Sequence, residues 1–508
     1  MTSLLPAASL AVLGALAPQD AEAPSVTTEL FGEGCLGTSY FLRVDLDEDL
    51  ATAAEAAVLA EVERLRRVLD WRDEASEFSR LPASGSVGVS PDLYAVLTAA
   101  ERWRGLSGGA FDPAAAHIDR VWVSAEAEGV VPPDDALAGA VDEVQGLRWR
   151  MRDGAVAPTR VRWSLDGLAK GAILDAAAAR AREAGASAVV FDIGGDIVAL
   201  GGRAEILISN PAAGADNSAP LDRIRVQNAA VATSANTKRG REIAGELYGH
   251  VLDPRSGRPA TGVLQASVLA PNAVDADALA TALLVLGPEE GLELVRRVEG
   301  AEALLALADG TTRSTDAWPS VHDAPVQGEA WSESMHLALD FELQSPGAKK
   351  RSRRGRGKRG GAYRRPYVAA WIETPDGTPV RTLCLWIGRE RWLRDLRRWH
   401  RLHKDDRTLI DAVTRPTRNP GSYSLAFDGL DDLGRRLEPG PYVLRLEAAR
   451  EHGTYQIYRV PFDAREDSFL EELEPNAEFA AASVRFGAAA GDSVESPAKS
   501  GSSDAAVR

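Results

Sequence analysis

Four short stretches of the 508-residue chain carry side chains capable of chemistry. In VDADALATALLVLG, Asp277 and Thr281 stand four residues apart, so a carboxylate and a hydroxyl share one helix face near its N-terminus. Hard oxygen donors of this kind suit Mg²⁺, although the same pair also reads as a capped helix start with a back-bonded threonine. In WSLDGLAKGAILD, Lys170 lies between small residues ahead of a helix, where an ammonium and free backbone amides can meet a phosphate; a surface lysine in a turn has the same pattern. YGHVLDPRSGRP sets His250 before a turn built from Asp253, Pro254 and Gly257, and a lone histidine is commonly structural. SGGAFDP, from Ser107 to Pro113, joins a glycine pair to Phe111 and Asp112, which lets a planar ring lie against backbone or simply forms a loop.

The elements that must position these residues fall into two textures. Between Thr27 and Ala306, helical spacing over Ala51 to Leu69, stopping at Asp70, recurs over Gly171 to Ala184 and Ala276 to Leu286. VVFDIGGDIVALGG, from Val189 to Gly202, predicts two strands joined by a tight Gly194-Gly195 hairpin. The expected fold is an α+β domain of mixed helices and antiparallel strands over residues 27–320. After Trp331 the period becomes two, first in Met335, Leu337, Leu339, Phe341 and Leu343, then over Tyr367 to Ile372, Leu383 to Ile387, Tyr423 to Phe427 and Tyr442 to Leu446. Turn signals such as Pro375-Asp376-Gly377 separate these runs, predicting an all-β sandwich-like domain over 332–466.

Composition narrows the classes. With 45% hydrophobic and 26% charged residues, most of the chain must fold. A net charge of −16 argues against a nucleic-acid binder. Ten Lys or Arg and no acid lie between Lys349 and Arg365, so the remainder carries −26. This basic loop, 349–365, lies between the first two strands of the second domain and reads as a solvated hairpin loop, or as a contact for anionic lipid headgroups or an acidic protein. Cys35 and Cys384, the only cysteines, exclude a disulfide framework and a CxxC metal cluster. An apolar run from Leu4 to Ala17, followed by Ala21-Glu22-Ala23, reads as a signal peptide over 1–24 and predicts export to the periplasm or cell envelope, despite the lack of Lys or Arg before Arg43. Residues 487–508 are mostly Ala, Ser, Gly and Asp, the composition of a disordered tail.

Taken together and in order, the motifs resemble the FAD:protein FMN transferases, the ApbE-type flavin transferases, from about Gly34 to Ala306. CLGTSY is similar to the family's MGT opening, with Leu36 in the Met place. DWRDEASEFSRL supplies Trp71 as the flavin-contacting aromatic, and GGAFDP supplies Ala110, Phe111 and Asp112. SLDGLAKGAILD puts Lys170 on the FAD-binding basic position and Gly167 on the residue whose carbonyl binds metal. FDIGGDI, VATSAN, GHVLDPRSGRP and DADALATAL follow in family order, with His250 on the FAD-contacting histidine and Asp277 and Thr281 on the metal-binding pair. Two positions depart. Ser164 replaces the Asp that opens the lysine motif, with Asp166 two residues on, and Ala235 replaces the Gly usual after Thr233-Ser234.

The resemblance implies Mg²⁺-dependent transfer of FMN from FAD to a Thr or Ser hydroxyl of an acceptor protein, releasing AMP, with His250 as the candidate base and Asp277 second. Water in place of the acceptor would give an FAD pyrophosphatase, and loss of turnover a flavin carrier. The acceptor is expected to be a flavoprotein of an electron-transfer system or the chain's own second domain. From Leu337 to Phe462 that domain resembles an uncharacterised family of predicted periplasmic proteins, through RPYVAAWIETPDGTPVRTLCLW and DGLDDLGRRLEPGPYVLRLEAAREHG. Within it, DAVTRPT (Asp411 to Thr417) resembles the acceptor motif, which would make Thr417 a self-flavinylation site, with Arg415 and Pro416 in place of small residues. Asp428, Asp431 and Asp432 read as an acidic turn or a Ca²⁺ site.

Overall fold

The structure is a computed structural model describing residues 27–82, 85–146, 149–157, 163–212, 217–218, 220–236, 240–321, 331, 336–344, 365–387, 390–404, 414–415, 417–432, 435–451, 453–465 and 468–487. The expected signal peptide, the basic run up to Arg364, Asp411 to Val413 and the tail after Gly487 lie outside these residues.

The first domain is built on one antiparallel eight-stranded sheet in the order β1-β2-β6-β7-β8-β11-β12-β13. Its strands are β1 (Thr28–Cys35), β2 (Thr38–Val44), β6 (Val189–Ile193), β7 (Asp196–Ile208), β8 (Asp222–Ala235), β11 (Val263–Ala270), β12 (Glu302–Leu307) and β13 (Thr312–Ser314). β3 (Val87–Gly88), β4 (Arg150–Arg152) and β5 (Ala155–Ala157) form a small side sheet, and β9 (Gly240–Ile243) pairs with β10 (Glu246–Gly249). Helices α1 (Glu48–Leu69), α5 (Ala169–Glu183) and α6 (Ala273–Arg296) share one continuous core with the sheet; α2 (Pro91–Leu106), α3 (Ala115–Glu128) and α4 (Asp134–Gly146) extend it. Local chemistry starts the helices where it should. Asp47, Ser90 and Asn272 each accept a backbone N–H from the first turn of α1, α2 and α6, a cap worth about 1 kcal/mol. The Gly194-Gly195 turn has φ of 62° and 97° at its two central residues, the backbone of a tight antiparallel hairpin, as the sequence predicts.

The second domain packs two sheets face to face. One has the order β18-β14-β22-β21 and the other β17-β16-β15-β19-β20. These strands are β14 (His336–Leu343), β15 (Tyr367–Glu373), β16 (Pro379–Trp386), β17 (Thr414–Arg415), β18 (Gly421–Phe427), β19 (Pro441–Ala449), β20 (Tyr455–Asp463), β21 (Phe469–Leu473) and β22 (Phe479–Gly487). Leu337, Leu339 and Phe341 of one sheet face Val368, Ala370, Ile372 and Leu444 of the other, as their alternation predicts. One expectation needs correction. β22 pairs along the whole of β14, so the sandwich ends at Gly487 and not at 466. Its Phe479, Val484 and Phe486 are buried at alternating positions that continue the period of two. The domain also carries a 3₁₀ turn, Glu390–Asp395, and a short helix α7 (Arg397–His403). Leu393, Leu396 and Trp399 cover the outer face of β15 with Trp371 and Leu385, which is why every residue of β15 is buried rather than every second one. The acidic turn is internally satisfied: Asp431 accepts from Arg435, and Asp432 from Thr382 N.

Candidate active site

A cleft of about 1790 Å³ opens in the first domain, and its lining includes all eleven expected site residues of that domain. The centre is the crossing of α5 and α6. These helices cap each other: Asp277 Oδ2 accepts Gly171 N of α5 at 3.1 Å, and Asp175 of α5 accepts Ala273 N at 2.8 Å and Val274 N at 3.1 Å. Each carboxylate thereby neutralises the positive end of the other helix. Gly171 permits the approach, since a Cβ there would lie 2.2 Å from Ala273 O. Lys170 and Asp277 consequently face the same cleft from two helices.

The expected metal set converges beside them. Thr281 follows Asp277 by one helical turn, and its Oγ1 lies 3.5 Å from Ser234 Oγ of the VATSAN segment. A Cβ on Gly167 would come 3.3 Å from Thr281 Oγ1 and 2.9 Å from the Phe111 ring, so glycine lets hydroxyl and aromatic close on the backbone at 167. Lys170 Nζ lies 2.5 Å from Asp196 Oδ2, while Asp196 Oδ1 accepts Thr233 N at 3.1 Å. Burial disfavours the Lys170 ammonium, but the charges of Asp196, Asp277 and Asp192 outweigh it and hold the amine protonated. The carboxylates are pushed the other way. Burial and the neighbouring Asp196 raise Asp277 to about 7, against the opposing pull of Lys170. Burial raises Asp192 to about 6, although its Oδ1 accepts Gly195 N. Buried Asp196 and Asp277 and half-buried Asp192 thus crowd around Lys170, leaving more carboxylates than cations there among the described residues. Among the described residues no three His, Cys, Asp or Glu side chains converge as a metal site. A set of one carboxylate, one hydroxyl and one carbonyl has the hard-donor character of Mg²⁺ sites completed by water and substrate phosphate.

The profile of the ApbE family matches residues 36–305, the interval that builds this cleft. The chain belongs to the ApbE family. A FAD:protein FMN transferase of Treponema pallidum is 30% identical over 287 residues, covering 52% of this chain and 79% of the relative. One from Rhodobacter capsulatus is 30% identical over 332 residues, covering 61% of this chain and 60% of the relative. The crystal structure of an ApbE protein from Thermotoga maritima superposes with a TM-score of 0.51 at 26% identity, covering 57% of this chain and 98% of that one. The second domain matches a family described as a predicted periplasmic protein over residues 358–481. Among the described residues no helix is long and apolar enough to cross a membrane.

Elsewhere in the ApbE cleft the motif residues take specific jobs. Leu36, in the Met place, sits at the β1–β2 tip with φ of 50°, beside Gly37 at 82°. Such strain in a non-glycine residue recurs at ligand sites. Trp71 donates Nε1 to Asp166 Oδ2 at 3.0 Å, and Arg72 grips the same carboxylate with bonds of 2.7 and 2.8 Å while its guanidinium lies 4.3 Å over the Trp71 ring. Asp166 is therefore already engaged where Ser164 replaces the family's acid. Ser164 Oγ instead accepts Asp166 N at 3.1 Å and shapes the turn. Ala110 and Phe111 wall the cleft next to Asp112, whose carboxylate is held by Arg104 Nε at 2.8 Å and Ala114 N at 2.8 Å. His250 lines the cleft on a loop tied down by Asn236, whose Nδ2 donates to Ala260 O at 2.9 Å. A Cβ on the preceding Gly249 would collide with Asn236 at 2.3 Å. FDIGGDI and SLDGLAKGAILD do not by themselves assign a role to Asp196, Asp192 or Asp175, and nothing in the sequence marks Arg104. The signal was there for the three acids, each a carboxylate inside a small-residue motif, but their partner elements are distant in sequence. Thr417 lies in the second domain, 5% exposed, outside the lining of the cleft.

Proposed function

We propose that the chain is an FAD:protein FMN transferase acting on a Thr or Ser hydroxyl of an exported acceptor protein. The observation that carries this reading is the α5–α6 crossing, which sets Lys170, Asp277, Thr281 and the Gly167 backbone around a buried surplus of negative charge in a cleft of dinucleotide size. Lys170 pairs with a phosphate of the FAD pyrophosphate, and Trp71 and Phe111 flank the isoalloxazine ring. Asp277, Thr281 and the Gly167 carbonyl would hold Mg²⁺, which when bound would supply electrostatic stabilisation of charge growing on the leaving phosphate. The acceptor oxygen attacks the phosphorus of the FMN half as the bond to the bridging oxygen breaks, the electron pair leaves with AMP, and His250 takes the hydroxyl proton. The family description of the second domain supports a periplasmic setting.

The test is mass spectrometry of an acceptor peptide after incubation with the full chain, FAD and Mg²⁺. One FMN phosphoester on the peptide together with an equivalent of AMP is expected. Free FMN and AMP without adduct would replace this reading by pyrophosphatase activity, and intact FAD would replace it by flavin carriage. The same incubation without a peptide decides the Thr417 hypothesis, since Thr417→Ala must then abolish any adduct on the protein itself.

A further inference from the structure

β7 and β8 continue beyond their neighbours in the first sheet and fold back on it, where Ile206 and Ile208 pack with Ala199, Val231 and Leu304 and Gln265 Nε2 donates to Ser209 O at 2.9 Å. β6 pairs with β7 only as far as Leu200, whereas β7 and β8 stay paired from Arg203↔Gln227 to Ile208↔Asp222. This two-stranded arm forms part of the cleft wall through Ile206, Ile208 and the following Ser209 and Asn210.

One attachment ties the arm's loop to the second domain, and a second ties the arm to the segment that leads towards that domain. Beyond its tip, Asn217 Nδ2 donates to Ala426 O at 2.7 Å, and Ala426 N donates to Asn217 Oδ1 at 2.7 Å. Ala426 belongs to β18, the edge strand of its sheet, so one side-chain amide takes both hydrogen-bonding groups that an additional strand would take. At the arm's far end, where Ile208 pairs with Asp222, the segment leaving the first domain folds against it. Val321 N donates to Arg223 O at 2.6 Å, Trp318 Nε1 donates to Asp222 Oδ2 at 2.7 Å, and the Trp318 ring packs with Ile206, Ile208 and Ile224. The same isoleucines that face the cleft therefore rest on the connection to the second domain.

We infer that the second domain positions the β7–β8 arm, and through it the cleft wall, so that ligand binding in the cleft and order in β18 are linked. Asn217 is a positioning residue in this scheme, remote from the reacting atoms. The inference rests on the proposed function only for its ligand, FAD. Linkage is reciprocal: if the attached domain favours FAD binding, FAD must favour the attachment.

Hydrogen–deuterium exchange of the full chain, wild type and Asn217→Ala, with and without FAD and Mg²⁺, tests it. The variant is expected to exchange faster over residues 203–211 and to bind FAD about threefold to tenfold more weakly, the size of one net hydrogen bond. Turnover at saturating FAD should be unchanged. In the wild type FAD is expected to slow exchange over Gly421–Phe427, and in the variant it should not. Equal exchange over 203–211 in the two proteins, or an FAD effect confined to the first domain, would overturn the inference. Should FAD fail to bind at all, the proposed function falls, while the ligand-free exchange comparison still decides the attachment.

Discussion

Glu373 of the second domain is 1% exposed and lies between Arg398 and Arg445, each within 2.9 Å, with Trp371 Nε1 donating at 3.2 Å. Nearby, Glu447, fully buried, accepts the N–H groups that open α7, Arg398 N and Trp399 N, both at 2.9 Å. Glu373 is matched there by two guanidinium groups, whereas burial raises the pKa of Glu447 despite its N–H bonds. At the α5–α6 crossing of the first domain, Asp192, Asp196 and Asp277 share Lys170 alone. Burial raises the pKa of Glu373, but its two arginines more than offset this and hold it below the usual range, whereas Asp277 is driven up to about 7. Buried charge that is balanced within the chain serves the fold. Buried charge left unbalanced costs stability and is retained where something outside the chain completes it, which locates the chemistry in the first domain.

The contrast breaks most readily at Glu373. Glu373→Ala strands two partly buried guanidinium groups and should cost the second domain about 3 kcal/mol, read as a lowered second-domain transition in calorimetry. An unchanged transition would remove the claim that this cluster is structural. Asp277→Asn should do the reverse. It keeps an acceptor for Gly171 N, so the metal-free protein should be no less stable, while FMN transfer falls about 10²- to 10³-fold in the peptide assay. A variant with full transfer would end Asp277's role.

pH separates the two regions by sign. Asp192 and Asp277 have raised native pKa values, so the stability they contribute is full below about 4, falls as pH rises, and is lost above about 7. Glu373 has a lowered one, so its contribution is full above the unfolded value and is lost as pH falls through the acid range. Between about pH 5 and 7.5 the first-domain transition is expected to fall while Glu373 leaves the second-domain transition unmoved, and below about pH 4.5 the loss of the Glu373 contribution should lower the second-domain transition. In the proposed site Mg²⁺ would have to displace the Asp277 proton, so its affinity, measured by titration calorimetry, should weaken about tenfold per pH unit below 7. Parallel shifts of both transitions would refute the assignment. The smallest effect belongs to the helix crossing itself: Asp175→Ala removes the acceptor for Ala273 N and Val274 N, leaves the Asn272 cap of α6 in place, and should cost about 1 kcal/mol in urea unfolding.

Much of this was readable in the residues. The alternation of Leu337, Leu339 and Phe341, the Gly194-Gly195 turn and the helix ending at Asp70 are local signals, and the folded chain repeats them because neighbouring residues alone set such backbone choices. Helix α7 on the outer face of β15 was not readable, since whether a strand is covered on one side or two depends on what packs against it. Nor did the period-two runs reach β22, whose partner β14 lies more than a hundred residues earlier.

The same division runs through the site. Residue type and short spacing by themselves determined that Asp277 and Thr281 share a face and that small residues surround Lys170, although the helix expected from Gly171 starts at Ala169 and takes Lys170 into its first turn. Only the tertiary structure decided that Asp277 caps the helix bearing Lys170, that Asp196 holds the lysine amine, and that Asp166 is committed to Trp71 and Arg72. The physical reason is range. A helix face is fixed by dihedral angles within one turn, whereas the charge state of a buried carboxylate is fixed by which opposite charges the fold brings within a few ångströms, and those come from strands and helices far apart in the chain.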